Sequence, residues 1–273
     1  KLINFKANHR KLIVTEKSLL VTSANPHNAS SAHWNMALRI DGAGQAAACE
    51  SESAILKFSG AEPVNDQKCD EGVASATQAN KIELLTERKI KNKVLELLSA
   101  AQPSARIDLT MFYLADSDII RALLKAKKRG CSLRIILDPN KDAFGRVKNG
   151  IPNRQSAARL VNAGIPVRWA DTHGEQCHAK TLYVEHADQT ATLLLGSANY
   201  TRRNLDNFNA ECDLACTTTV DHSAMKRARQ TFERWWSNLD GKTFTTDYAT
   251  YEDRSFRRKI RARLMEASGL SSF

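Results

Sequence analysis

The chain has 273 residues, 42% of them hydrophobic and 26% charged, with 40 Lys and Arg against 30 Asp and Glu and a net charge of +10 at pH 7. That length can bury a substantial core in one or two domains. The basic balance favours anionic partners, phospholipid headgroups and nucleic acid alike, and no apolar run approaches the about 18 residues that a membrane-spanning helix needs.

In chain order, the first apolar run begins at His9-Arg10-Lys11 and continues through Leu12-Ile13-Val14-Thr15 to Glu16. A second short run, Leu19 to Thr22, ends in Ser23-Ala24-Asn25, followed by an Asn-rich loop and then by Asn35-Met36-Ala37. Residues 43–59 are predicted to hold one helix that closes a first region, 1–59. Residues 60–80 are polar and small and read as a linker, with Cys49 and Cys69 at its flanks. Over 81–101, Ile82, Leu85, Ile90, Val94, Leu97 and Leu98 fall on one helical stripe. A strand at 106–113, a helix at 117–129, a strand at 132–137, a helix at 153–163 and a strand at 166–170 follow. This alternation reads as a mainly parallel sheet covered on both faces, with Gly130 and Gly164 placed as helix C-caps.

The opening phrase then recurs. His178-Ala179-Lys180 begins a run to Glu185, and Leu193 to Leu195 leads into Gly196-Ser197-Ala198-Asn199, then Asn209-Ala210-Glu211. An amphipathic helix over 222–238 buries Phe232, Trp235 and Trp236 and completes a second region, 81–240. In the tail, 241–273, six of the ten residues Arg254–Arg263 are basic and alternate with Phe256 and Ile260, ahead of Leu264 and Met265. At helical spacing, Arg254–Met265 suits peripheral contact with an anionic membrane or a solvated basic helix packed on the second region. The six cysteines show no zinc-type pairing, and no metal site is expected.

Strand alternation puts His9 with Lys11, and His178 with Lys180, on shared faces. A histidine can attack phosphorus or donate a proton near neutral pH. A lysine offers a positive charge to phosphate oxygens, and Ser-Ala-Asn adds neutral donors at the same edge. Two such sets facing each other would surround one phosphodiester, one histidine attacking while the other protonates the leaving oxygen.

The duplicated His-x-Lys-x4-acid followed by Ser-x-Asn resembles the phospholipase D superfamily over about residues 1–237. The resemblance implies an α/β fold of two halves, with mainly parallel sheets related by a pseudo-twofold axis, the first half incomplete in this chain. It implies a two-step reaction through a covalent phosphohistidine without metal or cofactor. Carried over, the catalytic set is His9, Lys11, Asn25, His178, Lys180 and Asn199 with Glu211, the substrate-binding residues Ser23 and Ser197, and the structural acids Glu16 and Glu185. A short first half implies a further N-terminal segment of the same protein as a partner.

Three departures from the family pattern stand out. The signature Asp is Glu in both copies, and Thr22-Ser23 replaces Gly-Ser in the first. Matching Asn35-Met36-Ala37 to Asn209-Ala210-Glu211 puts Ala37 where the second copy has an acid. A carboxylate that orients an imidazole stabilises the cation formed on it, so Glu211 is expected to support His178 as nucleophile, with His9 as general acid. Asp213 and Asp41 are the other acids that could reach the site.

The expected reaction is hydrolysis or transfer of a phosphatidyl group, as in phospholipase D and cardiolipin synthase, by a cytoplasmic or peripheral membrane enzyme. A nuclease or other phosphodiesterase of the same superfamily is the alternative, with nucleic acid as partner. An inactive anion-binding module is the third.

Overall fold

The computed structural model describes residues 7–42, 44–61, 80–143 and 146–269. Strands β1 (Leu12–Val14), β2 (Ser18–Thr22) and β3 (Ala37–Asp41) form a three-stranded antiparallel sheet, followed by helix α1 (Gln45–Phe58). The β1–β2 turn is held by Thr15 Oγ1, which accepts the Ser18 N–H at 3.0 Å. The expected linker, and Cys69 with it, falls on 62–79, outside the described residues. Cys49 is disulfide-bonded, whereas Cys131, Cys177, Cys212 and Cys216 are free.

The second region runs β4 (Lys81–Thr86), α2 (Arg88–Ala100), β5 (Arg106–Met111), α3 (Ser117–Lys128) and β6 (Ser132–Leu137). A short hairpin, β7 (Asp142–Ala143) and β8 (Arg146–Val147), leads to α4 (Asn153–Val161), β9 (Val167–Ala170), β10 (Lys180–Glu185) and β11 (Thr190–Gly196). Helix α5 (Arg202–Leu205), β12 (Cys212–Thr219), α6 (Ser223–Trp236), β13 (Thr245–Asp247) and α7 (Phe256–Ser268) complete it. One sheet of eight strands results, in the order β13-β9-β6-β5-β10-β11-β12-β4.

The sheet is mixed. The parallel pairs are β5–β6 and β6–β9, where α3 and α4 make the crossovers. Strands β10, β11 and β12 follow one another without long helical crossovers and pair antiparallel. The stripe over 81–101 divides, because 81–86 pairs antiparallel with β12 as an edge strand and the helix begins only after Glu87, at φ 50°. Partnering β12 satisfies a full backbone ladder, and this outweighs the helical spacing of Ile82, which is left exposed. The tail is also shared differently from expectation. β13 extends the sheet beyond residue 240 beside β9, and Trp169 Nε1 donates to Tyr248 O at 2.8 Å.

Alternation along the central strands decides what each face covers. Leu182, Leu194 and Ala215 join the main core with Ile90, Val94, Ile119, Leu123 and Leu160 of α2, α3 and α4. On the opposite face, Leu193 and Leu195 pack with Met225 and Ala228 of α6, against Met36 and Leu38. Leu19, Val21 and Ile40 of the small sheet close over Cys212 and Leu214 of β12. The first region therefore lies on one face of the large sheet, which brings its histidine to the second region's edge.

Candidate active site

Two matching backbone contacts join the regions. Ala210 N–H donates to Ala7 O at 2.9 Å, and Trp34 N–H donates to Gln176 O at 2.9 Å. Each contact lies two residues before a motif histidine, so each histidine is delivered beside the other region's third strand. Strand register sets the equivalences. Thr22 pairs with Ala37, and Gly196 pairs with Asp213. Asn35 is consequently the counterpart of Glu211, and Ala37 is the counterpart of Asp213. The match of Ala37 to Glu211 made on sequence slips by two residues, because the Asn shared by positions 35 and 209 is not a structural equivalence.

Glu211 supports His9 and not His178, which corrects the expectation. His9 Nδ1 lies 3.0 and 2.9 Å from the two Glu211 carboxylate oxygens. The fully buried carboxylate also accepts Ser197 Oγ–H at 2.5 Å and a hydrogen bond from Asn204 Nδ2. His178 Nδ1 instead faces Asn35 Oδ1 at 3.3 Å. The Asn35 amide is fixed by donating to Ser30 O at 2.7 Å and by accepting Ser23 Oγ–H at 3.1 Å. Each histidine thus takes its support from the opposite region, one a carboxylate and the other an amide. Asp41, at the far end of β3, is exposed and paired with Arg39.

Ser23 and Ser197, expected at the substrate, hydrogen-bond the side chains that support the histidines. Both are buried, each donates to the histidine-supporting side chain, and each accepts a backbone N–H, from Met36 at 3.1 Å and Cys212 at 3.0 Å. They position Asn35 and Glu211. Glu16 lies in the exposed β1–β2 turn, and Glu185 accepts Tyr183 Oη–H at 3.1 Å and pairs with Arg229. Both acids sit at the strand end remote from the histidines.

The lysines point the other way. Lys11 Nζ donates to His9 O at 2.8 Å and Lys180 Nζ to His178 O at 2.7 Å, and both side chains are buried. Burial lowers the Lys11 pKa to about 8 against the pull of Glu211 and Asp213. Burial and the charge of Lys11 push Lys180 well below the ordinary lysine value. His178 is likewise lowered by burial, then by Lys180 and Lys11. This electropositive pocket gains most from an anion with several oxygens. Asn199 Oδ1 is buried with no partner among the described residues, and Asn25, half-buried, has its backbone N–H held by Ser30 Oγ at 2.9 Å.

Several residues that sequence reasoning passed over complete the site. The Phe112 ring lies 5.1 Å from the His178 ring and 5.2 Å from Lys180 Nζ. Asp138 accepts the Cys177 N–H at 2.8 Å and so fixes the chain entering His178; burial raises its pKa to about 7. The Cys177 thiol is raised by burial and by Asp138, consistent with an inert filler. His33 Nδ1 accepts the Gln176 N–H at 3.2 Å and its ring lies 5.8 Å from that of His178. Position after a β-strand end was the one available signal for Phe112 and Asp138.

The Thr22 departure also has a structural reason. Asp213 Oδ1 accepts the Ala198 N–H at 3.0 Å, and a Cβ on Gly196 would meet that oxygen at 2.3 Å. In the first region Ala37 leaves the space open, and Thr22 Oγ1 accepts the equivalent Ala24 N–H at 3.0 Å. The hydrogen bond is kept and its acceptor moves from the third strand to the second.

A family model described as cardiolipin synthase, phospholipase D-like domain, matches residues 94–236, more than half of the chain. A search of the curated proteins finds no match. Among solved structures, Nuc, a phospholipase D family member from Salmonella typhimurium, is 22% identical with a TM-score of 0.46, covering 62% of this chain and 98% of its own. NucT from Helicobacter pylori is 17% identical with a TM-score of 0.44, covering 58% and 96%. A mutant yeast tyrosyl-DNA phosphodiesterase is 12% identical with a TM-score of 0.50, covering 77% and 67%. At such identities the likeness is one of fold.

Proposed function

Because this chain belongs to the phospholipase D superfamily, we propose that it cleaves or transfers phosphodiesters through a covalent phosphohistidine, with phospholipids as substrates. The observation that carries this reading is the crossed pair of supports, Glu211 on His9 and Asn35 on His178, above two buried lysines. His9 is the nucleophile. Its Nδ1–H is held by a carboxylate, so Nε2 keeps its lone pair and the cation left after attack is stabilised for the life of the intermediate. His178 is the general acid. In the free pocket burial and the two lysines hold its imidazole neutral, and the charge of an anionic substrate would offset them and let the ring carry the proton it donates.

In the first step the His9 Nε2–P bond forms, the P–O bond to the leaving alcohol breaks, and the His178 proton moves to that oxygen. In the second, water or another alcohol attacks phosphorus, returns a proton to His178 and displaces His9. Lys11, Lys180, Asn25 and Asn199 would hold the non-bridging oxygens as charge builds on them. The choice of phospholipid draws on the cardiolipin synthase description of the matching family and on the basic amphipathic helix α7.

Incubation with phosphatidylglycerol vesicles, and separately with supercoiled plasmid, both in chelator, tests the reading. Release or transfer of a phosphatidyl product without nicking is expected, with digestion at alkaline pH, where the P–N bond survives, mapping the trapped phosphoenzyme to His9. Nicking alone would make the protein a nuclease, and neither product would make it a silent anion-binding module.

A further inference from the structure

A second cavity of about 470 Å³ lies between the starts of α3 and α4 and the inner side of α7. Ala115 in its wall is three residues from Phe112, whose ring packs on His178, so the two sites lie within about 11 Å along the chain. Helix α7 lies outside the span matched by the family model. It is locked in place by Glu266, which accepts the Arg202 N–H at 2.7 Å, and by the burial of Ala262.

The charges around this cavity separate into two groups. Asp116, Asp118 and Asp206 gather on one cation, Lys91, at 2.8, 2.9 and 3.3 Å. By contrast, the Arg159, Lys259 and Arg263 side chains, also in the lining, form no ion pair or hydrogen bond among the described residues. The charged side chains felt most by half-buried Arg159 are two further arginines, Arg263 and Arg121, and with burial they lower its pKa. Such a cluster is unfavourable while empty and is relieved by a multiply bonded anion.

The outer side of α7 narrows the class of anion. Phe256, Ile260 and Leu264, four residues apart, are 71%, 43% and 66% exposed. An exposed apolar stripe flanked by arginines suits a lipid–water interface, whereas phosphates of a nucleic acid would account for the arginines and leave the stripe unexplained.

We propose that the α3–α4–α7 cavity is a second anion site, in which Arg159 and Arg263 hold the phosphate of an anionic phospholipid while α7 rests on the bilayer surface. The class of ligand rests on the phospholipid reading above, but binding needs no turnover and therefore fails separately from it.

The test is cosedimentation with phosphatidylcholine vesicles, with and without phosphatidylglycerol. Arg159→Gln with Arg263→Gln should weaken binding to the anionic vesicles by about 30-fold. Arg263→Glu, which offers Arg159 a carboxylate, should raise Tm and still abolish the preference for phosphatidylglycerol, a pairing that a merely structural role does not produce. Phe256→Ser with Leu264→Ser should weaken binding to both vesicle types. Unchanged binding in the arginine variants overturns the proposal. So does loss of inorganic phosphate binding with vesicle binding intact, which would make the site one for free phosphate. Loss of affinity for a single-stranded oligonucleotide alone would assign it to nucleic acid instead.

Discussion

In the second region a serine donates to a carboxylate, Ser197 to Glu211, and in the first a serine donates to an amide, Ser23 to Asn35. Much around the two pairs corresponds: the strand register, the lysine folded onto its own histidine's carbonyl, and the cross-region backbone bond. Of the two charged differences, Glu211 for Asn35 and Asp213 for Ala37, the first touches a histidine, and in the proposed reaction it divides the histidines' labour. A carboxylate stabilises an imidazole that must carry positive charge through an intermediate. An amide leaves its histidine free to give up a proton. On the proposed mechanism, near-symmetric halves with unequal supports suffice for a two-step reaction.

The largest expected effect comes from removing either ring. His9→Asn should lower turnover of bis-p-nitrophenyl phosphate by roughly 10,000-fold or more. His178→Asn should keep the initial burst of nitrophenol, because that leaving group needs no general acid, and should then stall. A burst in the His9 variant and none in the His178 variant would reverse the roles. Glu211→Gln comes next. It keeps an acceptor for His9 but removes the charge, and kcat should fall roughly 100- to 1,000-fold; a loss below 10-fold would mean that the two supports are equivalent.

Gly196→Ala forces a Cβ onto Asp213 and should destabilise the fold by about 1–3 kcal/mol in urea titration. Asn35→Asp makes the halves alike. A carboxylate beside His178 raises its pKa, the acid stays protonated to higher pH, and the alkaline limb of kcat/KM should move up by about one unit. A shift in the acidic limb alone would place the proton donor elsewhere. The smallest effect belongs to Thr22→Ala, which strands the Ala24 N–H and should cost about 1 kcal/mol with little change in rate.

Much of this was legible along the chain. The paired His-x-Lys phrases, the strand–helix alternation from 106 to 170 and the helix over 223–236 follow from local periodicity, and the structure places them close to where that periodicity puts them. The strand at 81–86 was not legible, because its apolar spacing fits a helix until β12 offers a ladder. The serines' protein contacts were not legible for a similar reason. Ser-x-Asn marks a turn near the chemistry, but whether its hydroxyl meets substrate or a neighbouring side chain depends on what the third strand brings opposite it.

By itself, the sequence determined the candidate reagents: two histidines, two lysines, two asparagines and one acid, on short strands or at their ends. Which acid serves which histidine was decided only by tertiary structure. The small sheet lies across β11 and β12, so each motif is delivered beside the other region's third strand, and register there makes Asn35 the counterpart of Glu211. Local alternation fixes the face on which a side chain stands. It carries no information about which face of a distant strand will be packed against it.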